Sequence, residues 1–175
     1  MKAEAVEIRR YFEPVLRSRP LRVKSGVGSF LTLEFGPRTK AYGHLRAEWR
    51  LWIYLSNWTL FHGDHPVVDS DADRKRIMIV ARRLEEEASL TDVDFDPRNK
   101  VTTFFFEEFR LVVSPADYVD NPDDRDNFWM FFMPGNEVLA VGPSGARVEH
   151  ASDRHPSIGL KKEEMETRRQ IRLED

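Results

Sequence analysis

The most informative segment of the chain is aromatic and reads Glu48-Trp-Arg-Leu-Trp-Ile-Tyr-Leu-Ser-Asn-Trp-Thr-Leu-Phe61. Because the side chains of a β-strand point alternately to its two faces, Trp49 and Leu51 lie on one side and Trp52 lies on the other. Both sides are therefore apolar, which is typical of an interior strand covered on both faces, with a bulge at Ser56–Asn57. The segment predicts the centre of an antiparallel sheet with an aromatic core.

A helix and a strand are predicted before this segment. The helix lies at the N-terminus and is broken or bent by Pro14 near its end, and its apolar face is formed by residues spaced three or four apart: Ala5, Ile8, Phe12 and Val15. Residues 29–36 then alternate between apolar and polar side chains, which indicates a strand with one apolar face. Gly36-Pro37 is predicted to end that strand.

A second helix and further strands are predicted after the aromatic segment. Between Asp71 and Ala88 the apolar residues recur at helical spacing, and either Asp71 or Asp73 can cap the start of this helix. The remaining β candidates are Val101–Val113, Phe128–Met133, and Glu137–Val141 paired with Ala146–His150 across a Gly-Pro-Ser-Gly turn.

These elements predict an α+β fold of one domain, consisting mainly of antiparallel sheet. The chain has 175 residues, which suits one domain of ordinary size. Residues 1–155 form the predicted α+β domain, and residues 156–175 form a charged C-terminal helix or tail. Residues 160–175 carry five basic and five acidic side chains with few apolar ones.

The composition excludes several classes of protein. The chain contains no cysteine, so disulfide frameworks, thiolate metal sites and cysteine nucleophiles are excluded, and a reducing compartment fits best. Charges interrupt the apolar residues of the N-terminus, unlike those of a secretory signal, and no apolar run is long enough to span a membrane. We therefore expect a cytoplasmic protein that has no membrane partner and needs no cofactor.

The charge of the chain is small in total and uneven in distribution. The formal net charge is −3, which does not favour nucleic acid as a partner. Residues 1–24 are nevertheless rich in bases, and residues 117–126 form an acidic segment. Its five aspartates are Asp117, Asp120, Asp123, Asp124 and Asp126.

One cluster has the composition of a metal site. His62, Asp64 and His65 follow the aromatic segment, and imidazole nitrogen with carboxylate oxygen suits zinc or manganese. The alternative is a solvated turn before the second helix. The nearby Asp69–Asp73 has acids at the alternate positions of a calcium loop, but the glycine and the glutamate that such a loop requires are absent.

The candidate strand Val101–Val113 raises two further questions. It contains Glu107 and Glu108, so we expect one carboxylate to point inward, either as an acid-base group with a raised pKa or paired with Arg50 or Arg110. It also contains three consecutive phenylalanines. At least one ring must point away from the core, either under a helix or as part of a contact patch: Phe104, Phe105 or Phe106.

The order of elements resembles that of a group of bacterial proteins. A helix, a Gly-Ser-apolar strand ending in Phe35-Gly36, the run Trp49-Arg-Leu-Trp-Ile53, a second helix and a hairpin are similar to small, largely uncharacterised bacterial α+β proteins. Some members of that group are immunity proteins of polymorphic toxin systems. The resemblance covers roughly residues 23–142 and supplies no catalytic motif. It implies a function by binding, in which a toxin is neutralised by covering its active site or substrate surface.

The sequence thus leads to one preferred function and one alternative. The preferred function is a non-enzymatic binding protein of the bacterial cytoplasm, which contacts another protein through the five aspartates of residues 117–126, through the tail, or through an outward aromatic patch. The alternative is a metal-dependent hydrolase or nuclease accessory that uses His62, Asp64 and His65. Association between copies of the chain is left open.

Overall fold

The computed structural model describes residues 2–27, 30–41, 44–116 and 127–150 of the chain. These residues form two antiparallel sheets, of six and five strands, and two α-helices. The expected α+β class, the N-terminal helix and the mid-chain helix are thus confirmed. The expected C-terminal helix or tail lies outside the described residues.

Strands that are neighbours in a sheet are not always neighbours in the chain. In spatial order, the six-stranded sheet consists of β1 (Arg22–Ser25), β2 (Leu31–Ala41), β3 (His44–Ile53), β9 (Trp129–Phe132), β10 (Glu137–Gly142) and β11 (Gly145–His150). The five-stranded sheet consists of β5 (His65–Asp69), β4 (Ser56–His62), β8 (Phe109–Pro115), β7 (Val101–Phe106) and β6 (Leu90–Asp96). The predicted hairpin at the end of the described chain is the β10–β11 pair.

Each helix begins or ends for a local reason. Helix α1 (Lys2–Phe12) continues into a 3₁₀ turn at Glu13–Val15, where Pro14 has no backbone N–H to extend the α-helix. Helix α2 (Arg74–Glu87) begins at Asp73, whose carboxylate accepts a hydrogen bond from the backbone N–H of Arg76 at 3.0 Å. Of the two expected capping residues, Asp73 is therefore the N-cap.

The core lies between the two sheets and is rich in aromatic rings. Phe12 of α1 stacks on Phe131 of β9 with ring centres 4.0 Å apart, and it meets Phe104 of β7 edge-on at 5.6 Å. One ring from the N-terminal helix thus contacts both sheets. The indole N–H of Trp129 donates to the hydroxyl of Thr102 at 2.7 Å, which joins the sheets by a buried hydrogen bond. Burial of each such aromatic side chain stabilises the fold by about 2–3 kcal/mol.

The two helices pack at the edges of the sheets. Helix α2 lies against the edge strands β1 and β5, and α1 lies against β6. Ile8 and Phe12 of α1, and Ile77 and Leu84 of α2, belong to the core. The described helices therefore leave the outer face of each sheet uncovered. None of the helices in the described ranges is long and apolar enough to cross a membrane.

The aromatic segment 48–61 differs from its prediction, because it is two strands instead of one. Strand β3 ends at Ile53 and β4 begins at Ser56, and the two strands belong to different sheets. At the crossing, the carbonyl of Phe128 accepts from the backbone N–H of Tyr54 and from the hydroxyl of Ser56, both at 2.9 Å. These bonds satisfy the buried polar groups where the chain passes between sheets.

The two tryptophans of β3 lie on opposite faces, as the alternation predicts. Trp49 stacks on the core residue Phe131 at 5.6 Å, and Trp52 packs at 4.6 Å against Phe132 on the outer side. Strand β3 is interior, between β2 and β9. The predicted interior strand is thus correct for residues 48–53, and the β4–β8 pairing has no register shift at Ser56–Asn57.

Two predicted strand limits are also wrong. Strand β2 does not end at Gly36-Pro37 but runs on to Ala41 through a bulge, in which Gly36 has a φ of 73°. The candidate strand 101–113 is a hairpin, because Glu107 and Glu108 form the turn between β7 and β8. Glu107 has a φ of 44°, a left-handed backbone conformation that places it in the tight turn.

Candidate functional site

Two hairpin turns lie side by side at one end of the five-stranded sheet. His62 and His65 are opposite each other in the β4–β5 hairpin, with Gly63 and Asp64 between them. Gly63 has a φ of 57°, and its N–H donates to the carbonyl of Glu108 in the β7–β8 turn at 2.8 Å. The pairing of β4 with β8 therefore brings the predicted histidine cluster against the second turn.

The side chains of His62 and Asp64 contact partners outside the histidine cluster. His62 Nε2 is 3.1 Å from Glu108 Oε2, and Arg110 Nη2 is 3.4 Å from Asp64 Oδ1. The described ranges contain no group of three or more His, Asp or Glu side chains placed to hold a metal ion. His62, Asp64 and His65 thus lie close in the chain, but they do not converge as ligands, and nothing in their geometry supports the metal-dependent alternative.

The glutamates of the second turn do not point inward, contrary to expectation. Both are exposed, and the side chain of Glu108 is 82% exposed. Glu108 pairs with His62, whereas Arg110 pairs with Asp64. The exposed ion pair of Arg110 with Asp64 contributes about 0–1 kcal/mol because water screens it.

The two turns border an open depression of about 550 Å³. Its lining is charged at the rim and aromatic at the floor, and consists of His62, Gly63, Asp64, His65, Phe105, Glu107, Glu108, Phe109 and Arg110. Asp64 is 94% exposed, so the depression does not exclude water from its carboxylates.

Helix α2 flanks the depression with a further ion pair. Arg83 lies over the ring of Phe109, 5.0 Å from its centre, and its guanidinium donates to Glu87 at 2.9 Å. The hydrogen bond with Glu87 raises the pKa of Arg83, and the same bond lowers the pKa of the Glu87 carboxyl. Both groups remain charged at neutral pH, so this rim of the depression carries matched opposite charges.

The outer face of the five-stranded sheet carries a row of three residues that we call the aromatic row. Phe105 of β7 is directly opposite Arg110 of β8, and Arg110 is directly opposite Phe61 of β4. Residues paired across strands point to the same face, so the three side chains lie together on three neighbouring strands. All three are half-exposed.

The aromatic row settles which of the three consecutive phenylalanines points outward. Phe104 and Phe106 are fully buried in the core, whereas Phe105 is half-exposed on the opposite face. Neither α1 nor α2 packs over that face, because both lie at sheet edges. Among the described residues, Phe105 is therefore not under a helix, and its ring is available as part of a contact patch.

Arg110 at the centre of the row is held by stacking. Its guanidinium lies 4.8 Å from the ring centre of Phe61, a cation–π contact. Its Nε is buried and has no hydrogen-bond partner among the described residues, while Nη2 makes only the long contact with Asp64. The planar donor group is thus positioned by the sheet and has unused hydrogen-bonding capacity.

Carboxylates lie at both edges of this face. The row next to the aromatic row consists of paired residues from all five strands: Asp94, Thr103, Val112, Thr59 and Asp69. An aspartate therefore stands at each end, with half-exposed small side chains between. At the end of the aromatic row, Asp92 is paired with Arg9 of α1 at 2.6 Å. The open face thus combines an aromatic centre with acidic edges.

The acidic segment lies outside the described residues. All five predicted interface residues belong to it: Asp117, Asp120, Asp123, Asp124 and Asp126. The segment follows Ala116 directly after β8, the strand that carries Arg110. Its role as an interface stays a prediction.

The sequence prediction missed the aromatic row although a signal for it was present. Once Glu107 and Glu108 are taken as a turn, strict alternation places Phe104, Phe106 and Phe109 on one face. The same alternation places Phe105 and Arg110 together on the other face. The error was to treat residues 101–113 as one continuous strand.

Comparison with protein-family models, with curated proteins and with solved structures finds no match.

Proposed function

We propose that the chain is a non-enzymatic binding protein whose docking surface is the outer face of the five-stranded sheet. The observation that carries the proposal is the aromatic row, in which Phe61, Arg110 and Phe105 lie in register and half-exposed. Aromatic residues and arginine dominate the energetics of protein interfaces, because aromatic rings bury large areas and the planar guanidinium of arginine offers several hydrogen-bond donors in a fixed geometry. A row of this composition on an open sheet face is therefore suited to contact with another protein.

The outer face of the five-stranded sheet is smaller than a standard protein interface. Five strands spaced by about 4.8 Å give a face about 20 Å wide, and its strand length is similar. The resulting area of about 400 Å² is half of the roughly 800 Å² per partner that a standard interface buries. The rim of the depression borders this face, and the acidic segment 117–126, which follows β8 in the sequence, is the further contact that we propose.

The charges of the surface favour a basic partner. Asp69 and Asp94 stand at the edges of the face, and residues 117–126 add five aspartates. Opposite charges on the partner would speed its approach and orient it. Nucleic acid would stack well on Phe61 and Phe105, but its phosphates would meet these carboxylates, so the same surface disfavours it.

A basic partner agrees with the resemblance to bacterial immunity proteins. A toxin that binds nucleic acid has a basic groove, and an acidic surface with an aromatic centre covers such a groove. Toxin neutralisation in a bacterial cytoplasm is accordingly the role we propose for the interface.

The first test is affinity capture from a lysate of the native host, with the bound proteins quantified by mass spectrometry. The variants are Phe105→Ala and Arg110→Ala, and the matched control is Ile79→Ala, which removes an exposed apolar side chain (62% exposed) from α2. We expect a basic protein to be retained by the wild type and by the Ile79→Ala control, and to be lost with both row variants. Identical protein sets from all four forms would overturn the proposal.

The second test addresses the toxin role. The product of a coding sequence adjacent to this one is expressed in a surrogate bacterium, and growth is measured with and without this chain. Wild type and Ile79→Ala are expected to restore growth, whereas Arg110→Ala is not. If no adjacent product is toxic but capture still depends on Arg110, the binding function stands and the toxin role fails. Self-association that depends on Arg110 would instead identify a second copy of this chain as the partner.

A further inference from the structure

Strands β2 and β3 of the six-stranded sheet extend beyond their neighbours. They pair with each other as far as the hairpin that joins them. On either side, β1 pairs with β2 only as far as Glu34, and β9 pairs with β3 only as far as Arg50. Among the described strands, residues 38–41 and 44–47 are thus paired only with each other. They form a two-stranded projection about 14 Å long, which we call the β-ribbon.

The β-ribbon is basic on both of its faces. The register places Arg38 and Lys40 on one face and Arg46 on the other. All three side chains are exposed, and none has an ion pair with another described residue. Residues 36–47 contain no acid. The β-ribbon therefore concentrates three positive charges in a chain whose formal net charge is −3.

The positive charge continues at the base of the β-ribbon. Arg50 lies four residues after Arg46 on the same face of β3. Burial, and then the nearby charge of Arg46, lower the pKa of Arg50, while Glu34 opposes this effect. The two guanidinium groups thus repel each other, and an anion beside Arg46 would relieve this repulsion.

The outer half of the β-ribbon adds little to the core. Alternation along β3 continues the row of core-facing side chains Leu51 and Trp49 to Ala47 and Leu45. Ala47 is still buried, but Leu45 is 60% exposed. A two-stranded ribbon without an apolar face to bury is only marginally stable in water. Its exposed side chains are therefore accessible to a partner.

The shape and charge of the β-ribbon fit a groove with anionic walls. The major groove of B-DNA is about 12 Å wide, and it admits a two-stranded β-ribbon between two rows of phosphates. Guanidinium and ammonium groups form charge-assisted hydrogen bonds with phosphate oxygens. A flat acidic protein would contact only one face, and would leave the bases of the other face unmatched. The negative charge of the whole chain does not prevent this contact, because salt screens charges beyond about 10 Å.

We propose that the β-ribbon is a second binding surface, which enters the major groove of duplex DNA. Arg38 and Lys40 pair with the phosphates of one wall, and Arg46 pairs with those of the other. Because these contacts are to the backbone, binding does not depend on base sequence. The proposal is independent of the interface on the five-stranded sheet, whose carboxylates would repel the same phosphates.

The first experiment measures the binding of a short, fluorescein-labelled DNA duplex by fluorescence anisotropy at a series of salt concentrations. The test variant reverses the charges of the β-ribbon with Arg38→Glu, Lys40→Glu and Arg46→Glu. The matched control reverses three exposed bases of α2 with Arg74→Glu, Lys75→Glu and Arg82→Glu. Both variants change the net charge equally, and urea unfolding confirms that each is folded.

We expect wild type to bind with a slope of log K against log salt of about −2.7, because each neutralised phosphate contributes about −0.9. The β-ribbon variant should bind at least about tenfold more weakly than the α2 variant. Arg110→Ala should bind the duplex as wild type does. Equal binding by the two charge-reversal variants, or tighter binding of polyglutamate than of the duplex by wild type, would overturn the proposal.

A second measurement does not depend on the charge-reversal variants. The chain contains no cysteine, so Leu45→Cys and Ile79→Cys each carry one environment-sensitive dye, the first on the β-ribbon and the second on the exposed face of α2. Addition of the duplex should change the emission of the dye at position 45 only. Unchanged emission at 45, or an equal change at both positions, would show that the duplex does not contact the β-ribbon.

Discussion

Trp129 donates its indole N–H to the hydroxyl of Thr102 at 2.7 Å, and both side chains are buried between the two sheets. Trp129 belongs to β9 of the six-stranded sheet, and Thr102 belongs to β7 of the five-stranded sheet. The bond therefore fixes the position of one sheet relative to the other. Because an apolar core supplies no other acceptor for the indole N–H, the bond is also needed to satisfy a buried donor.

The first prediction concerns this bond. Thr102→Val keeps the shape of the side chain but removes the acceptor, so Trp129 is left with an unpaired buried donor. We expect the free energy of unfolding, measured by urea denaturation, to fall by about 1–3 kcal/mol. Thr103→Val is the matched control, because Thr103 is half-exposed on the outer face, and it should change stability by less than about 0.5 kcal/mol. Equal effects of the two variants would show that the bond does not join the sheets.

The second prediction compares two glycines with left-handed backbones. A Cβ at Gly36 would lie 2.8 Å from Cδ1 of Trp49, whereas nothing lies within 4 Å of a Cβ at Gly63. Gly63→Ala should lower the free energy of unfolding by about 1–2 kcal/mol through backbone strain alone. Gly36→Ala should lower it by about 2–4 kcal/mol, because Trp49 must also shift from its stack on Phe131. Both variants are measured by urea denaturation. If Gly36→Ala and Gly63→Ala lower the free energy of unfolding equally, the bulge in β2 accommodates the added methyl group without moving Trp49.

The third prediction tests the start of α2. Asp73→Ala removes the side chain that accepts from the N–H of Arg76, and should lower stability by about 1 kcal/mol. Asp71→Ala removes a carboxylate two residues earlier without touching that hydrogen bond, and its effect should stay within about 0.5 kcal/mol. Thermal unfolding followed by circular dichroism measures both. The assignment fails if Asp71→Ala has the larger effect.

The fourth prediction concerns pH. The backbone N–H of Arg98 donates to the carboxylate of Asp96 at 2.9 Å, and this bond, followed by the side-chain amide of Asn99, lowers the pKa of Asp96. The unfolded chain therefore protonates Asp96 more readily than the folded chain does. The hydrogen bonds to the Asp96 carboxylate stabilise the fold above the ordinary aspartate pKa of about 3.9, and this stabilisation is lost as the pH falls through the lowered pKa of Asp96 in the folded chain. Asp96→Asn should therefore be less stable than wild type at pH 7 and should approach it in acid.

Urea unfolding of wild type and Asp96→Asn, from pH 7 into acid, measures the difference in their free energies of unfolding. Asp94→Asn, on the same strand, shows the general effect of removing one carboxylate. If the difference in free energy of unfolding between wild type and Asp96→Asn does not change with pH, the hydrogen bonds from Arg98 and Asn99 do not stabilise the ionised carboxylate of Asp96.

The fold class followed from local patterns, but the sheet topology did not. The helix around Ile77 and Leu84 and the hairpin at residues 142–145 were correctly predicted, because spacing and turn residues act over short distances. The crossing at Tyr54 and Leu55 has no glycine or proline, so its apolar alternation continues while the chain changes sheets. Only the hydrogen bonds to Phe128, more than seventy positions away, reveal the break.

The candidate site was only partly predictable for a similar reason. The histidine cluster was visible as a motif, yet the residues that hold it come from the β7–β8 turn. Phe61 and Phe105 are far apart in sequence and lie on either side of Arg110 only because β4 and β7 both pair with β8. The short edge strand β1, with three polar residues among its four, gave no strand signal at all.

The most direct test of the proposed interface is calorimetric titration of the captured partner with wild type, Arg110→Ala and Ile79→Ala. Arg110→Ala is expected to weaken binding by about 2 kcal/mol, or roughly thirtyfold in Kd, because it removes the centre of the aromatic row. Ile79→Ala should leave Kd unchanged. Binding of Arg110→Ala as tight as that of wild type would contradict the account, since the outer face of the five-stranded sheet would then not be the surface that the partner contacts.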